Sequence, residues 1–380
     1  MMDLGLAWHV YELTKDPLYL GLVGLVQFVP FVLLVIPAGY VADRVDRIWL
    51  LRLSYAGCAV CASLVLWFAL IGLENIYFLL LAMAIFGVAR AFFLPTSKAI
   101  IRSIVPRFIF ANAIALNGTV NQMAVIGGPV LGCLVYLAGP APLFSLVVVL
   151  LIITILLLGY LRPLLTPEVA NTAGSRGVLE GLDFVVGRRI LLGAISLDLF
   201  AVLFGGVTAV LPVYAKDILH LGPMGLGAMR TAPAVGAAIT STVLAIWPIH
   251  RWPGIWMFGG IGANGLATIL FGLSTSLLLS VMALLAIGSG DRLSVFVRQT
   301  LVQVQTSEHI RGRVSAVASM FIGASNELGA FEPGVAVRLF GPMIGVKGGG
   351  PATIVVVAAY LRLFPSFLSL GGFEEEISHA

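Results

Sequence analysis

Several ionisable side chains stand where their neighbours are mostly apolar: Asp291, Arg298, Glu327 and Glu332. A charge in such surroundings costs free energy unless it meets a partner, an ion or water. The chemistry open to them is proton exchange at the carboxylates and anion binding at the guanidinium. Asp291 and Arg298 are seven residues apart, so on a helix they share a face about two turns apart and do not pair directly. Glu327 and Glu332 are five apart and point in different directions, unlike the paired carboxylates of a glycosidase. Arg90 is a further charge at membrane depth, facing either the interior of a bundle or, by snorkelling, the interface.

Other chemistry has little support. No nucleophile, base and orienting group cluster in the sequence, so an enzyme is not expected. The five histidines, His9, His220, His250, His309 and His379, are scattered singly, and there is neither a Walker sequence nor an H-E-x-x-H pair. No metal site and no cofactor are expected. Cys58 and Cys61 have C-x-x-C spacing inside an apolar run, where buried packing residues are a better reading than a redox pair.

The elements that must position these groups follow from composition. Of 380 residues, 59% are hydrophobic and 11% charged, with mean hydropathy +1.05, whereas soluble domains carry about 25% charge. A membrane-embedded chain is the consequence, with the lipid bilayer as its main partner. Disorder is excluded by the same numbers. Six apolar runs, near 2–13, 20–42, 48–71, 76–97, 110–138 and 141–162, precede a polar stretch, and six more follow near 190–214, 223–247, 254–274, 277–298, 312–338 and 350–370. The first run reaches only about 20 Å, against a hydrocarbon core of about 30 Å. It is read as a clipped first helix, with the natural start upstream. The expected organisation is an N-terminal bundle over 1–162, a cytoplasmic linker over 163–189, a C-terminal bundle over 190–370 and a tail over 371–380. In the linker, Leu179, Leu182, Val185 and Val186 share helical spacing, which reads as an amphipathic helix on the inner membrane surface and a hinge between bundles.

Lysine and arginine set the orientation. Arg44, Arg47, Lys98, Arg102, Arg188 and Arg189 lead a large group on one side, while Lys15, Lys216 and Lys347 fall on the other. By the positive-inside rule the linker and both termini, if the first helix is complete, are cytoplasmic. This placement, and not nucleic acid, accounts for the net charge of +4.

Between the second and third runs lies Gly39-Tyr-Val-Ala-Asp43-Arg44-Val-Asp46-Arg47. Gly39 permits close helix approach, Asp43 suits the positive end of another helix, and the arginines suit the cytoplasmic face. The string resembles motif A of the major facilitator superfamily, G-x-x-x-D-R-x-G-R-[RK], with Gly39, Asp43, Arg44 and Arg47 in register. It departs at Asp46, where the motif has glycine, and at Ile48, where it has a base. In the fifth run, Gly127-Gly128-Pro129-Val-Leu-Gly132-Cys133 allows a tight crossing or a pliable bend. It resembles the exporter-associated motif C, with Cys133 in place of the last glycine. The motif B arginine is absent, since Met83 stands four residues before Gly87. The polar strings around Asp291 and Arg298, Arg311-Gly312-Arg313, and Ser325-Asn326-Glu327 resemble the enterobactin-exporter-like and macrolide-efflux-like branch of the superfamily.

The resemblance implies an all-α membrane fold of two six-helix bundles, about 12 transmembrane helices, in a bacterial inner membrane. It implies a small-molecule substrate bound near the bilayer midplane and alternating access. Motif A would form part of a cytoplasmic gate with Arg311 and Arg313. Gly128, Pro129 and Gly132 would form the bend of helix five. Arg90, Asp291, Arg298, Glu327 and Glu332 become candidates for the substrate and proton pathway. The expected function is proton-coupled export of a mid-sized amphipathic compound, a siderophore, macrolide or drug, by a monomer. An uptake permease and a transport-inactive sensor or scaffold are the alternatives.

Overall fold

The computed structural model describes residues 1–72, 75–106, 109–161, 174–368 and 370–373. Among the described residues the ordered elements are all helical: α1 Met2–Thr14, α2 Pro17–Arg44, α3 Arg47–Ile71, α4 Ile76–Ile104, α5 Phe110–Tyr136, α6 Pro140–Leu157, α7 Gly174–Gly187 and α8 Arg189–Phe204. A 3-10 turn at Val207–Val210, α9 Leu211–Val213 and a π-turn at Tyr214–Ile218 follow, then α10 Pro223–Ile246, α11 Pro253–Leu273, α12 Leu277–Val304, α13 Glu308–Phe340 and α14 Pro342–Leu363.

Local chemistry sets the helix starts. Asp16 caps α2 by accepting from Leu18 N–H at 2.9 Å, with Pro17 in the first turn. Asp46 caps α3, accepting from the N–H groups of Ile48 at 2.7 Å and Trp49 at 3.0 Å. The departure from motif A therefore has a local use, because a carboxylate satisfies two otherwise orphaned donors.

Contacts divide the chain into two units, Met1–Gly174 and Ser175–Ala380. Within the first, α4 packs on α2 and α3, α3 packs on α6, and the short α1 touches α2, α5 and α6. Within the second, α12 packs on α10 and α11, α11 packs on α14, and α13 packs on α8 and α14. Taking α8 as the first helix of its unit and passing over short α9, the same internal pairings recur: second with fourth, third with fourth, third with sixth, first with fifth. The outer faces stay apolar and open, as Leu33 at 70% and Leu278 at 76% exposure illustrate. Lipid tails are the solvent such faces require.

Ten helices among the described residues are long and apolar enough to cross a membrane. The other two expected spans differ for separate reasons: α1 has only 13 residues, and α13 is long, at 33 residues, but polar. The last span also differs from expectation, since α14 begins at Pro342 and not near residue 350. Gly348-Gly349-Gly350-Pro351 straddles the expected start of that span. It is helical because its glycines admit neighbouring backbone: a Cβ at Gly349 would lie 2.2 Å from Phe204 O, and one at Gly350 would lie 2.7 Å from Gly265 O.

The linker helix is not simply laid on a surface. Residues 162–173 lie outside the described set, but α7 belongs with the second unit. Val185 is buried in a cluster with Leu191, Ile195, Val302, Val314 and Val317, and Leu182 packs against it. Val186, assigned by spacing to the same apolar face, is 54% exposed. Glu180 of α7 pairs with Arg313 of α13, and a Cβ at Gly181 would fall 2.9 Å from the Arg313 backbone. Arg188 then donates to the carbonyl of Gln305 at 3.0 Å, clasping the linker to the end of α12.

Candidate functional site

The polar centre of the second unit is built on α12, whose close approach to its neighbours depends on glycine. A Cβ at Gly288 would stand 2.0 Å from Pro233 O of α10, and one at Gly290 would stand 2.4 Å from Gly260 O of α11. Small residues let helix backbones meet this closely in a bilayer. They fix the rotation of α12, and so the direction of its polar face.

On that face Asp291, Ser294 and Arg298 follow one another at helical spacing. Arg298 is buried, at 3% exposure, and donates from Nη1 to Oδ2 of Asp198 on α8. Ser294 Oγ donates to the other carboxylate oxygen, Oδ1, at 3.2 Å. Both oxygens of Asp198 are therefore occupied, the condition under which a buried ion pair is tolerated. Arg292 points elsewhere, its Nε donating to Ser241 Oγ of α10 at 2.7 Å. Asp291, two turns from Arg298, is partly buried. As the spacing requires, Asp291 and Arg298 share a face without pairing. The actual counter-ion, Asp198, was not among the sequence candidates.

On α13, Glu332 is partly buried and Asn326 is exposed. Ser325 Oγ donates to Phe321 O at 2.6 Å, a bond within its own helix. The side chains of Glu327, Arg311 and Asp43 lie outside the described residues. Arg313, a candidate for the gate, is half-exposed and engaged by Glu180.

The first unit has its own polar contacts. Arg90 of α4 is partly buried and reaches Gln27 Oε1 of α2 at 3.5 Å, with its guanidinium 5.9 Å from the Phe86 ring centre. Gln27 Nε2 in turn lies 3.4 Å from Met83 Sδ. Gly87 makes this crossing possible, since a Cβ there would meet Gln27 O at 2.3 Å. Arg90 thus has a second-helix amide beside it, and Gln27 is another residue that sequence reasoning passed over. Tyr136 of α5 donates to Glu12 of α1 at 3.1 Å.

Among the glycines singled out by motif, Gly132 is buried against Met1, with a Cβ position 3.2 Å from Met1 Cα, and Gly128 makes ordinary contact with the same residue. The two flank Pro129, which sits inside helix α5. A Cβ at Gly39 would meet none of the described atoms within 4 Å. Arg44 is exposed and Arg47 partly buried. Cys61 and Cys133 are buried, as packing residues should be.

A bundle of apolar helices crossed at glycines, with ionised groups turned inward, defines a polytopic membrane protein with a polar interior. Residues 3–330 match the family model of the Major Facilitator Superfamily, and the chain belongs to that superfamily. Among curated proteins it is 23% identical over 323 residues to the enterobactin exporter EntS of Escherichia coli O139:H28, covering 84% of this chain and 76% of that protein. It is 24% identical over 321 residues to a Na(+), Li(+), K(+)/H(+) antiporter of Planococcus maritimus, covering 74% of this chain and 73% of that one. Among solved structures, a variant of the nucleoside transporter NupG matches with TM-score 0.73 at 15% identity, over 95% of this chain and 94% of that one. A bacterial homologue of the lysosomal transporter Spinster, inward-facing and unoccupied, matches with TM-score 0.68 at 14% identity, over 96% and 93%. The superfamily resemblance drawn from the motifs therefore holds, and the fold is the one that these solved transporters share.

Proposed function

We propose that the chain exports a mid-sized amphipathic organic compound, of siderophore, macrolide or drug-like chemistry, by alternating access coupled to protons. The observation that carries this reading is the Asp198–Arg298 pair. Desolvating two ions costs several kcal/mol each, about as much as their attraction returns, and apolar packing holds helices together without them. Ionisable groups kept at membrane depth serve substrate and ion pathways. Arg298 offers a guanidinium to an anionic substrate group. Asp291, Glu327 and Glu332 offer carboxylates that take up and release protons.

Export, in preference to uptake, is supported by the names of the curated relatives, an exporter and a cation/proton antiporter, and by the Gly128-Pro129-Gly132 segment. The experiment is accumulation of siderophores, macrolides and dyes by inside-out vesicles, with and without a proton gradient. Gradient-dependent accumulation is expected there. Accumulation in right-side-out vesicles instead would mark an uptake permease, and none in either would mark a sensor or scaffold.

A further inference from the structure

Away from the buried charges, the loop joining α10 to α11 borders a cavity of about 670 Å³. Its wall is apolar along Ile239, Val243 and Leu293, and its rim carries Trp247, His250, Arg251, Trp252 and Trp256. Half of the chain's six tryptophans gather at this one place. Tryptophan prefers the headgroup level of a bilayer, where one edge of the ring is wet and the other apolar.

The site is built. Trp252 adopts a left-handed φ of 58°, an uncommon conformation for a bulky residue. It is held there by its N–H donating to Gly371 O at 3.2 Å. Gly254 lies so close to the C-terminal segment that a Cβ would meet Phe367 O at 2.0 Å, and Phe258 packs edge-on against the Phe367 ring at 5.7 Å. The loop is thus fixed from beneath, while the exposed His250 and Arg251 side chains project at the rim. Arg251 makes no ion pair or hydrogen bond with the described residues. It stands at the end of the unit that also carries Arg188, Arg189, Arg313 and Arg362.

We infer that this cavity binds an anionic phospholipid, its headgroup phosphate on Arg251 and His250 and an acyl chain along Ile239, Val243 and Leu293. Charge complementarity selects this occupant. A second open groove, about 440 Å³ between α3 and α6, is lined by residues such as Ala59, Leu64 and Ile152 and carries no charge, so it offers nothing to distinguish one lipid from another. A basic residue beside an anionic headgroup contributes about 1 kcal/mol, which corresponds to roughly fivefold in occupancy. The inference goes beyond the transport reading and does not depend on substrate or direction.

The test uses the full chain carrying Trp8→Phe, Trp49→Phe and Trp67→Phe, so that only the three rim tryptophans fluoresce. It is reconstituted into bilayers doped with brominated phosphatidylglycerol or brominated phosphatidylcholine. The anionic quencher should be the stronger at equal mole fraction. Arg251→Ala with His250→Ala should cut that preference by roughly fivefold, and Arg251→Lys should keep most of it. His250 and Arg251 are exposed, the buried Trp8 keeps an aromatic ring as phenylalanine, and an unchanged elution profile checks that every variant is folded. Equal quenching by the two lipids, or a preference that survives the double alanine variant, would overturn the proposal. Loss of the preference on adding soluble glycerol phosphate would overturn it too, by assigning the site to a free phosphate.

Discussion

Arg298 on α12 and Asp198 on α8, a hundred residues apart in sequence, form a buried ion pair whose second carboxylate oxygen is taken by Ser294. Removing one partner leaves the other charged, buried and uncompensated, which costs about 3–5 kcal/mol, whereas removing both charges costs much less. Asp198→Asn and Arg298→Gln should each lower the unfolding temperature of the purified protein clearly, and the double variant should recover most of the loss. A double variant as unstable as the two single losses added together would show that the pair is not the reason for either.

The glycine crossings give a sharper contrast at single-atom scale. Gly288→Ala must push its new methyl into Pro233 O of the neighbouring helix, whereas Gly259 faces open space. Overpacking of this kind costs about 1–3 kcal/mol, and open surface sites change stability by less than about 0.5 kcal/mol. Thermal unfolding of the two alanine variants should therefore separate them, with Gly259→Ala close to the parent.

Docking of the linker helix depends on packing more than on charge. The Glu180–Arg313 pair is half-exposed, and such pairs contribute about 0–1 kcal/mol. Arg313→Ala should barely change thiol labelling of a cysteine placed at Val185. Gly181→Val, which forces a side chain against the Arg313 backbone, should raise that labelling several-fold by lifting α7.

Much of this was legible in the sequence, and the parts that were not share a cause. Span positions follow from hydropathy, which each residue carries by itself. Pairing depends on which helices meet. Asp198 is the single charged residue between Arg189 and Lys216, a signal that it needs a partner but not one that names Arg298. The glycine run before Pro351 has loop composition. Only the backbone of α8 and α11 lying against it explains why it is helical. Val186 has the spacing of a buried face, yet α7 turns it outward because Gly181 and Val185 set the contact line. Asp46 shows the reverse: a departure from the family motif is explained locally, by the cap it provides.

Coupling makes a separate demand on α13. No Lys or Arg lies between Arg313 and Arg338, so Glu327 has no cation from its own helix. Glu327→Gln keeps the size and mimics the protonated form. It should abolish concentrative efflux while leaving substrate binding, measured by equilibrium dialysis, within about threefold of the parent, a change worth less than 1 kcal/mol. Concentrative efflux with unchanged pH dependence would pass the proton role to Asp291 or Glu332.

Exchange of substrate for protons can be read from the purified chain in proteoliposomes enclosing a pH-sensitive dye. An inward gradient of a substrate found in the vesicle screen is imposed with no initial pH difference. Exchange requires protons to leave as substrate enters, so the lumen should turn alkaline, and a protonophore should abolish the change. Acidification of the lumen would mean that substrate and protons move together, and substrate entry with no pH change would mean that they are not coupled; either result rules out proton exchange.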